Sequence, residues 1–302
     1  MDTRRGLPIA AMLLLLAACS GGSAPSASPP AKNSTTSTVT SLSGRIVFDN
    51  HDDVWSINAD GTGLTRLTRS PWPQFDPAWS PDGTRIAFRV DRPDRNDDSE
   101  IWLMNADGSD RHRLTRGLSP AWSPDGSKIA YASPGEINCP PGRGPKCTGI
   151  SIMNADGSEQ RRLPNTDGGE YPSWSPDGKR IVFNSNLTTQ HAMSIVDVDG
   201  SRVVDLSGVG EGWQVDWSPD GRSILFASHR DHPDNYTDIY VMRPDGSGVK
   251  RLTRNRAYTP AWSPDGRHIV FSATGLFVMR ADGSGITRLP VDVGETALPD
   301  WA

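Results

Sequence analysis

Several motif classes are missing from this 302-residue chain, and their absence removes common enzyme families from consideration. There is no Gly-x-Ser-x-Gly elbow of a serine hydrolase, no His-Glu-x-x-His pair of a zinc peptidase and no glycine-rich phosphate loop. A basic stripe is missing too: the net charge is −5, and the first 43 residues contribute +2, so the remainder is more acidic still. This charge balance argues against a nucleic-acid partner.

Long hydrophobic runs are also scarce. The most prominent one, Leu7–Ala18, has twelve residues, fewer than the roughly 20 that a membrane-spanning helix needs. Because two arginines precede it, residues 1–18 are predicted to be a secretion signal. The run ends in Leu16-Ala17-Ala18-Cys19, which resembles the cleavage and lipidation site of bacterial lipoproteins. By that resemblance Cys19 becomes the first mature residue and carries acyl chains; the alternative is an ordinary signal peptide followed by an incidental cysteine.

The segment after Cys19 has little that could form a core. Residues 20–43 are rich in Ser, Thr, Pro, Ala and Gly and carry one charge, Lys32. Such a composition cannot bury enough apolar surface to offset the entropy lost on ordering. We therefore predict a disordered, lipidated tether over residues 19–43 and a folded domain over residues 44–302. The protein is expected to be exported and lipid-anchored to a bacterial membrane, facing the periplasm or the cell exterior.

Cysteine is rare, with three residues in the chain. Cys139 and Cys147 flank a short segment, Pro140–Lys146, in the longest loop of the repeat region. In an exported protein such a close pair favours a disulfide. The alternative, half of a metal site, lacks an accompanying histidine or second cysteine pair.

What the chain does contain is a repeat. Trp79-Ser80-Pro81-Asp82-Gly83 recurs unchanged four more times, beginning at Trp122, Trp174, Trp217 and Trp262, and a sixth tryptophan, Trp301, stands one residue from the end. Successive tryptophans are 43, 52, 43, 45 and 39 residues apart. A period of this length is typical of propeller blades.

Each repeat is interpreted as four short strands, with no helical periodicity after residue 43. The tryptophan lies on the first strand, and Ser-Pro-Asp-Gly forms the turn to the second. The second strand is predicted six times, at residues 45–48, 85–88, 128–131, 180–183, 223–226 and 268–271. Since the domain begins on a second strand and ends on a first one, the C-terminal strand must complete the N-terminal blade. The predicted fold is all-β: a six-bladed β-propeller of four-stranded antiparallel blades, closed by Trp301.

The repeat resembles that of a known family. The Trp-Ser-Pro-Asp-Gly and Asn-Ala-Asp-Gly-Ser turns, with Asp-Ile-Tyr-Val-Met and Arg-Leu-Thr between them, are similar to the WD-type repeats of TolB-like propeller proteins. The resemblance covers residues 44–302. It implies a β-propeller over these residues. TolB itself, by the same resemblance, has a separate α/β domain before its propeller. Residues 20–43 are too few and too polar to form such a domain, so none is expected here.

Strand direction sorts the loops between two faces. The Ser-Pro-Asp-Gly turns and the second set of turns, of the Asn-Ala-Asp-Gly type, must share one face, here called the turn face. The loops between second and third strands and the crossovers between blades must lie on the other, here called the variable face. Because functional residues concentrate in variable loops on rigid scaffolds, the variable face is the candidate site.

The crossovers supply the candidate ligand-binding residues. Positions three and four residues before each repeat tryptophan should ring the mouth of the central channel, and Trp72 lies just upstream. Aromatic surface beside a few acids and amides suits a pocket or a peptide contact. The alternative is that these side chains merely cover the inner ends of the blades. The candidates are Trp72, Phe75, Asp76, Glu170, Tyr171, Trp213, Gln214 and Tyr258.

Histidines and acids on the variable face offer a different function. A divalent cation near the channel, as in metal-dependent six-bladed lactonases, would draw on His51, His229, His232 and Asp231. The alternative is that these residues lie in solvated loops, and none has the spacing of an EF-hand. We therefore predict a monomeric, non-catalytic module without a cofactor that binds a protein, peptide or envelope ligand. A metal-dependent hydrolase or lyase is the second hypothesis.

Overall fold

The structure is a computed structural model that describes residues 42–95, 98–135, 148–185, 192–232, 236–254, 256–293 and 297–302. The chain divides into two units, Met1–Thr38 and Val39–Ala302, and every described residue lies in the second. The predicted signal segment, Cys19, nearly all of the tether and the Cys139–Cys147 pair lie outside the described residues.

Six four-stranded antiparallel sheets form the blades of a propeller, which confirms the predicted fold class. Blade 1 contains β1 (Arg45–Asn50), β2 (Asp53–Asn58), β3 (Thr65–Arg66) and β24 (Asp300–Trp301). Blades 2 and 3 contain β4 (Gln74–Trp79), β5 (Arg85–Arg92), β6 (Asp98–Asn105), β7 (His112–Arg116), β8 (Leu118–Trp122), β9 (Lys128–Pro134), β10 (Thr148–Asn154) and β11 (Arg161–Asp167). Blades 4 to 6 contain β12 (Gly169–Trp174), β13 (Arg180–Ser185), β14 (Ala192–Asp197), β15 (Val203–Asp205), β16 (Trp213–Trp217), β17 (Ile224–Ser228), β18 (Asp238–Met242), β19 (Lys250–Arg251), β20 (Tyr258–Trp262), β21 (His268–Ala273), β22 (Gly275–Arg280) and β23 (Thr287–Arg288).

Helix is confined to two single turns in the described part of the chain, at Pro93–Arg95 and Ser207–Val209. Neither is long or apolar enough to cross a bilayer. The predicted second strands begin where expected, except that the fifth starts at Ile224. They run two to four residues further than predicted, because each continues to pair with its third strand; in blade 2 the pairing reaches Arg92 and Asp98.

The ends of the chain meet in blade 1. Strand β24 pairs antiparallel with β1, with Trp301 opposite Ile46 and Asp300 opposite Val47. The Arg45 and Ala302 main chains exchange two hydrogen bonds, of 2.7 and 2.9 Å. The predicted closure by Trp301 is therefore confirmed. All six repeat tryptophans are buried, and none is more than 8% exposed.

The repeated turn is held by its own side chains. In blade 2 the Ser80 hydroxyl donates to Asp82 at 2.6 Å and accepts from the Arg85 amide at 2.9 Å. Gly83 closes the turn with φ of 65°, a left-handed conformation that glycine adopts without steric cost. The same hydroxyl–carboxylate bond recurs at each of the other four copies. The pentapeptide is invariant because serine, aspartate and glycine each meet a local requirement of the turn.

Three blades share a buried acid at the start of the third strand, bound to an arginine of the fourth strand. Glu100 accepts a hydrogen bond from Arg113 at 2.7 Å, and the pairs Asp53–Arg66 and Asp238–Arg251 are equivalent to it. The three acids are at most 3% exposed. These interactions tie the outermost strand of a blade to its neighbour.

Candidate functional site

The first strands of blades 2 to 6 share an irregular backbone. In each, the register with the second strand shifts just before the repeat tryptophan, forming a β-bulge. The residue at the bulge has φ between 49° and 51°, the left-handed region that L-residues other than Asn and Asp seldom occupy. These bulge residues are Asp76, Ser119, Tyr171, Gln214 and Thr259. Backbone strain of this kind concentrates at binding and active sites.

The bulge residues surround the central channel. Together with Leu298 of blade 1 they line a cavity of about 270 Å³, here called the channel cavity. The next position of each repeat adds five prolines and one valine to the lining of this cavity: Pro77, Pro120, Pro172, Val215, Pro260 and Pro299. Of the eight predicted ligand-binding residues, three line the channel cavity: Asp76, Tyr171 and Gln214.

One side of the channel mouth is charged. Asp76 is buried, and its Oδ2 accepts hydrogen bonds from the Ser119 amide and hydroxyl, both at 3.1 Å. Arg89 donates twice to Asp91, at 2.7 Å each, and lies 3.4 Å from Asp76 Oδ2. Asp49 accepts from the Leu298 amide at 2.8 Å, and burial raises its pKa to about 7. The sequence places Asp49 among the acids of the variable face, but it did not identify Asp49 or Arg89 as residues of the channel mouth, although both follow the aromatic residue of a second strand.

Tyr171 faces this charged group. Burial raises the pKa of the Tyr171 phenol above its usual range, and the carboxylates of Asp76 and Glu170 raise it further, so the side chain stays neutral. No hydrogen bond among the described residues involves its hydroxyl. Glu170 is held nearby by the Thr148 hydroxyl at 3.3 Å. Tyr171 therefore presents a neutral aromatic ring with a polar tip to the channel cavity.

The opposite side of the mouth is aromatic. Trp213, Gln214, His229, Thr237 and Tyr258 line a crevice of about 340 Å³ between blades 5 and 6, here called the aromatic crevice. The Trp213 and His229 rings pack with centroids 4.7 Å apart. Because Gln214 lines both spaces, the crevice adjoins the channel cavity.

Trp72 and Phe75 line neither space. The Arg92 guanidinium lies 5.1 Å from the Trp72 ring centroid, and Arg89 lies 5.0 Å from that of Phe75. Trp72 also packs against the core cluster around Trp79. These contacts suit the alternative role of covering the inner ends of the blades.

Deeper in the channel, three polar side chains join neighbouring blades. Ser173, Asp216 and Asp300, each just before a repeat tryptophan, accept hydrogen bonds from the amides of Trp217, Trp262 and Trp79. At Ala78 and Ala121 the next blade's indole instead donates to the alanine carbonyl, at 3.2 and 3.1 Å. Desolvation raises the pKa of Asp216 to about 7 and that of Asp300 to about 6. These two acids could have been found from the sequence, because each stands immediately before a repeat tryptophan.

The weak metal candidates do not converge. His229 contacts Glu211, and His232 contacts Asp238 and Arg251. Asp231 accepts a hydrogen bond from Tyr240 at 2.8 Å, and His51 lies in an exposed turn. Across the described segments, no three His, Cys, Asp or Glu side chains are grouped so that they could share a metal ion.

Comparison with known proteins supports the fold. A family profile described as the TolB beta propeller domain matches residues 19–214. The crystal structure of TolB from Acinetobacter baumannii is similar with a TM-score of 0.71 and 23% identity, over 88% of this chain and 68% of that one. A protein assigned as TolB from Agrobacterium tumefaciens gives 0.68 and 21%, over 87% and 99%. A chain of a nidogen/laminin complex gives 0.66 and 10%, over 85% and 98%. No curated protein matches the chain in sequence.

Proposed function

The chain belongs to the TolB beta propeller domain family, and from this membership we propose that it is an exported, non-catalytic module that binds a protein or peptide of the cell envelope. The ligand is held on the variable face, at the mouth of the central channel. A position at the mouth lets one ligand contact several blades together.

The observation that carries this proposal is the ring of strained bulge residues. Five blades hold a residue other than glycine in the left-handed conformation, and all five side chains line one cavity. Such strain costs on the order of 1 kcal/mol per residue and persists when the surroundings or a function require it. The acids at this mouth accept hydrogen bonds from amide and hydroxyl groups of the wall, which suits a scaffold for binding. No grouping in the described chain favours the hydrolase hypothesis.

The proposal includes anchoring through Cys19. Two or more acyl chains hold a protein on a bilayer stably, since each buried CH₂ contributes about 0.8 kcal/mol. Cys19→Ser should therefore move the protein from the membrane fraction to the soluble fraction. Persistent sedimentation of the Cys19→Ser variant with membranes would contradict the anchor.

A variant of Tyr171 tests the binding site without disturbing the backbone. Tyr171→Gly removes the aromatic ring but keeps a residue that tolerates φ of 49°. We expect this variant to capture envelope proteins in crosslinked pull-downs at least ten-fold less well than the wild type, when equal amounts of folded protein are compared. The matched control is Asn165→Gly, which replaces another left-handed residue, with φ of 57°, on the outer strand β11. Equal capture by the wild type and Tyr171→Gly would refute the site.

A further inference from the structure

We infer that the aromatic crevice between blades 5 and 6 is a binding subsite for a neutral saccharide. The site is formed by Trp213, Gln214, His229, Thr237 and Tyr258. It lies beside the proposed protein-binding mouth and would stand even if that role failed.

The walls of the crevice suit a sugar ring. Trp213 and Tyr258 occupy the same repeat position on adjacent blades, four residues before Trp217 and Trp262, so their rings face a shared space. Both are half-buried. A pyranose carries C–H bonds on one face and hydroxyls around its edge, and aromatic rings with polar tips provide matching apolar surface at low conformational cost.

The polar groups of the crevice are available to hydroxyls. The Gln214 side-chain amide makes no hydrogen bond within the described chain, although its residue is half-buried and its φ is 50°. One such amide can donate and accept at once. The Thr237 hydroxyl donates to the Ala257 carbonyl at 2.8 Å, so its oxygen can still accept. A small number of placed polar groups among aromatic walls is the usual composition of a ligand pocket.

The charges of the crevice select against an ionic ligand. The Glu211 carboxylate contacts the His229 ring, and the His229 side chain is 29% exposed. Among the described residues that line the space, no free carboxylate remains to balance a quaternary ammonium group, which aromatic cages otherwise bind. The described lining residues also include no lysine or arginine that would hold a phosphate. A neutral polyhydroxylated ring needs neither a carboxylate nor a cationic side chain as its partner.

Binding of defined oligosaccharides to the full-length, detergent-solubilised protein tests this inference. The probes are the neutral saccharides chitotriose, mannotriose and maltotriose, with choline and inorganic phosphate as ionic comparators. Saturation-transfer NMR and calorimetry should show at least one saccharide binding, and neither ionic comparator. If no saccharide binds at 10 mM, or if choline alone binds, the inference is overturned.

Two variants assign the binding to the crevice. Gln214→Gly removes the amide while easing the left-handed backbone, and Trp213→Ala with Tyr258→Ala removes both walls. Each should weaken saccharide binding at least ten-fold. Asn165→Gly and Trp102→Ala, which alter a left-handed residue and a half-buried tryptophan away from the crevice, should leave it unchanged. Because Gln214→Gly is expected to keep the wild-type melting temperature, unchanged binding by this folded variant would overturn the inference.

Discussion

At the residue scale, the five bulge positions divide into two groups. The side chains of Asp76, Ser119 and Thr259 bind neighbouring parts of the wall; Thr259, for example, lies 2.6 Å from the Ser272 hydroxyl and donates to the Ala297 carbonyl. Tyr171 and Gln214 make no side-chain hydrogen bond within the described chain. Glycine would adopt their backbone with less strain. Their side chains are therefore the ones whose retention a ligand would explain.

The buried acids of the channel predict how stability depends on pH. The folded-state pKa values of Asp216 and Asp49, about 7, and of Asp300, about 6, lie above the ordinary value of 3.8. The native state then binds more protons than the unfolded state between about pH 4 and 7, so the free energy of unfolding should fall as pH rises through this window. Asp216→Asn with Asp300→Asn should flatten the slope, leaving the part due to Asp49. Urea unfolding at pH 4.5, 6 and 7.5 measures it, and an unchanged slope would show that these carboxyls are not the cause.

The turn acids act in the opposite direction at lower pH. Hydrogen bonds from Ser80 and Thr84 lower the pKa of Asp82 to about 2, and similar bonds lower that of Asp125 to about 2. Stability that depends on these carboxylates is present above about pH 4 and is lost as pH falls toward 2. We therefore expect maximal stability between the two windows, near pH 4 to 5.

At the element scale, the short outer strands depend on the buried acid–arginine pairs. Asp238 is fully buried and accepts hydrogen bonds from Arg251 and Thr253, the latter at 2.8 Å. Asp238→Ala would leave the partly buried Arg251 without this partner and should lower the free energy of unfolding by about 3–5 kcal/mol. Chemical unfolding measures the change. The control is Asp292→Ala, because Asp292 is fully exposed and lies 3.8 Å from Arg288, so that solvent screening leaves its removal with little effect on stability. Equal losses in both variants would contradict this role for the buried pair.

The elements themselves were largely predictable from the sequence. The serine, proline, aspartate and glycine of each repeated turn predict its geometry, and the β-branched and aromatic run after it predicts the second strand. The bulges were not predictable, because Asp, Ser, Tyr, Gln and Thr share no property that signals a left-handed backbone. Their common position appears only once the strands are paired. The bulge also explains why Phe75 does not line the channel cavity. At the bulge, the residue three positions before the tryptophan lines the channel, and the residue four positions before it does not.

At the scale of the whole molecule, stability depends on joining the two ends of the chain. Trp301 is buried among Ile46, Phe48 and their neighbours in the core cluster between blades 1 and 6. Deleting residues 297–302 removes this side chain and exposes the edge of β1. Loss of a buried tryptophan alone costs about 3–5 kcal/mol, so the melting temperature should fall by about 10 °C or more. Deleting residues 20–38, outside the unit Val39–Ala302, should leave it unchanged. A truncated chain that melts like the wild type would contradict closure by β24.

Photocrosslinking in living cells tests most directly which face of the propeller contacts the proposed envelope partner. A p-benzoylphenylalanine residue is placed in living cells either at Tyr171, in the channel mouth, or at Arg243, in an exposed turn on the turn face. Both variants are irradiated and the crosslinked products are compared by mass. Binding at the channel mouth predicts a discrete protein adduct from position 171 and none from position 243. Adducts from position 243 alone, or the same adduct from both, would contradict binding at the channel mouth.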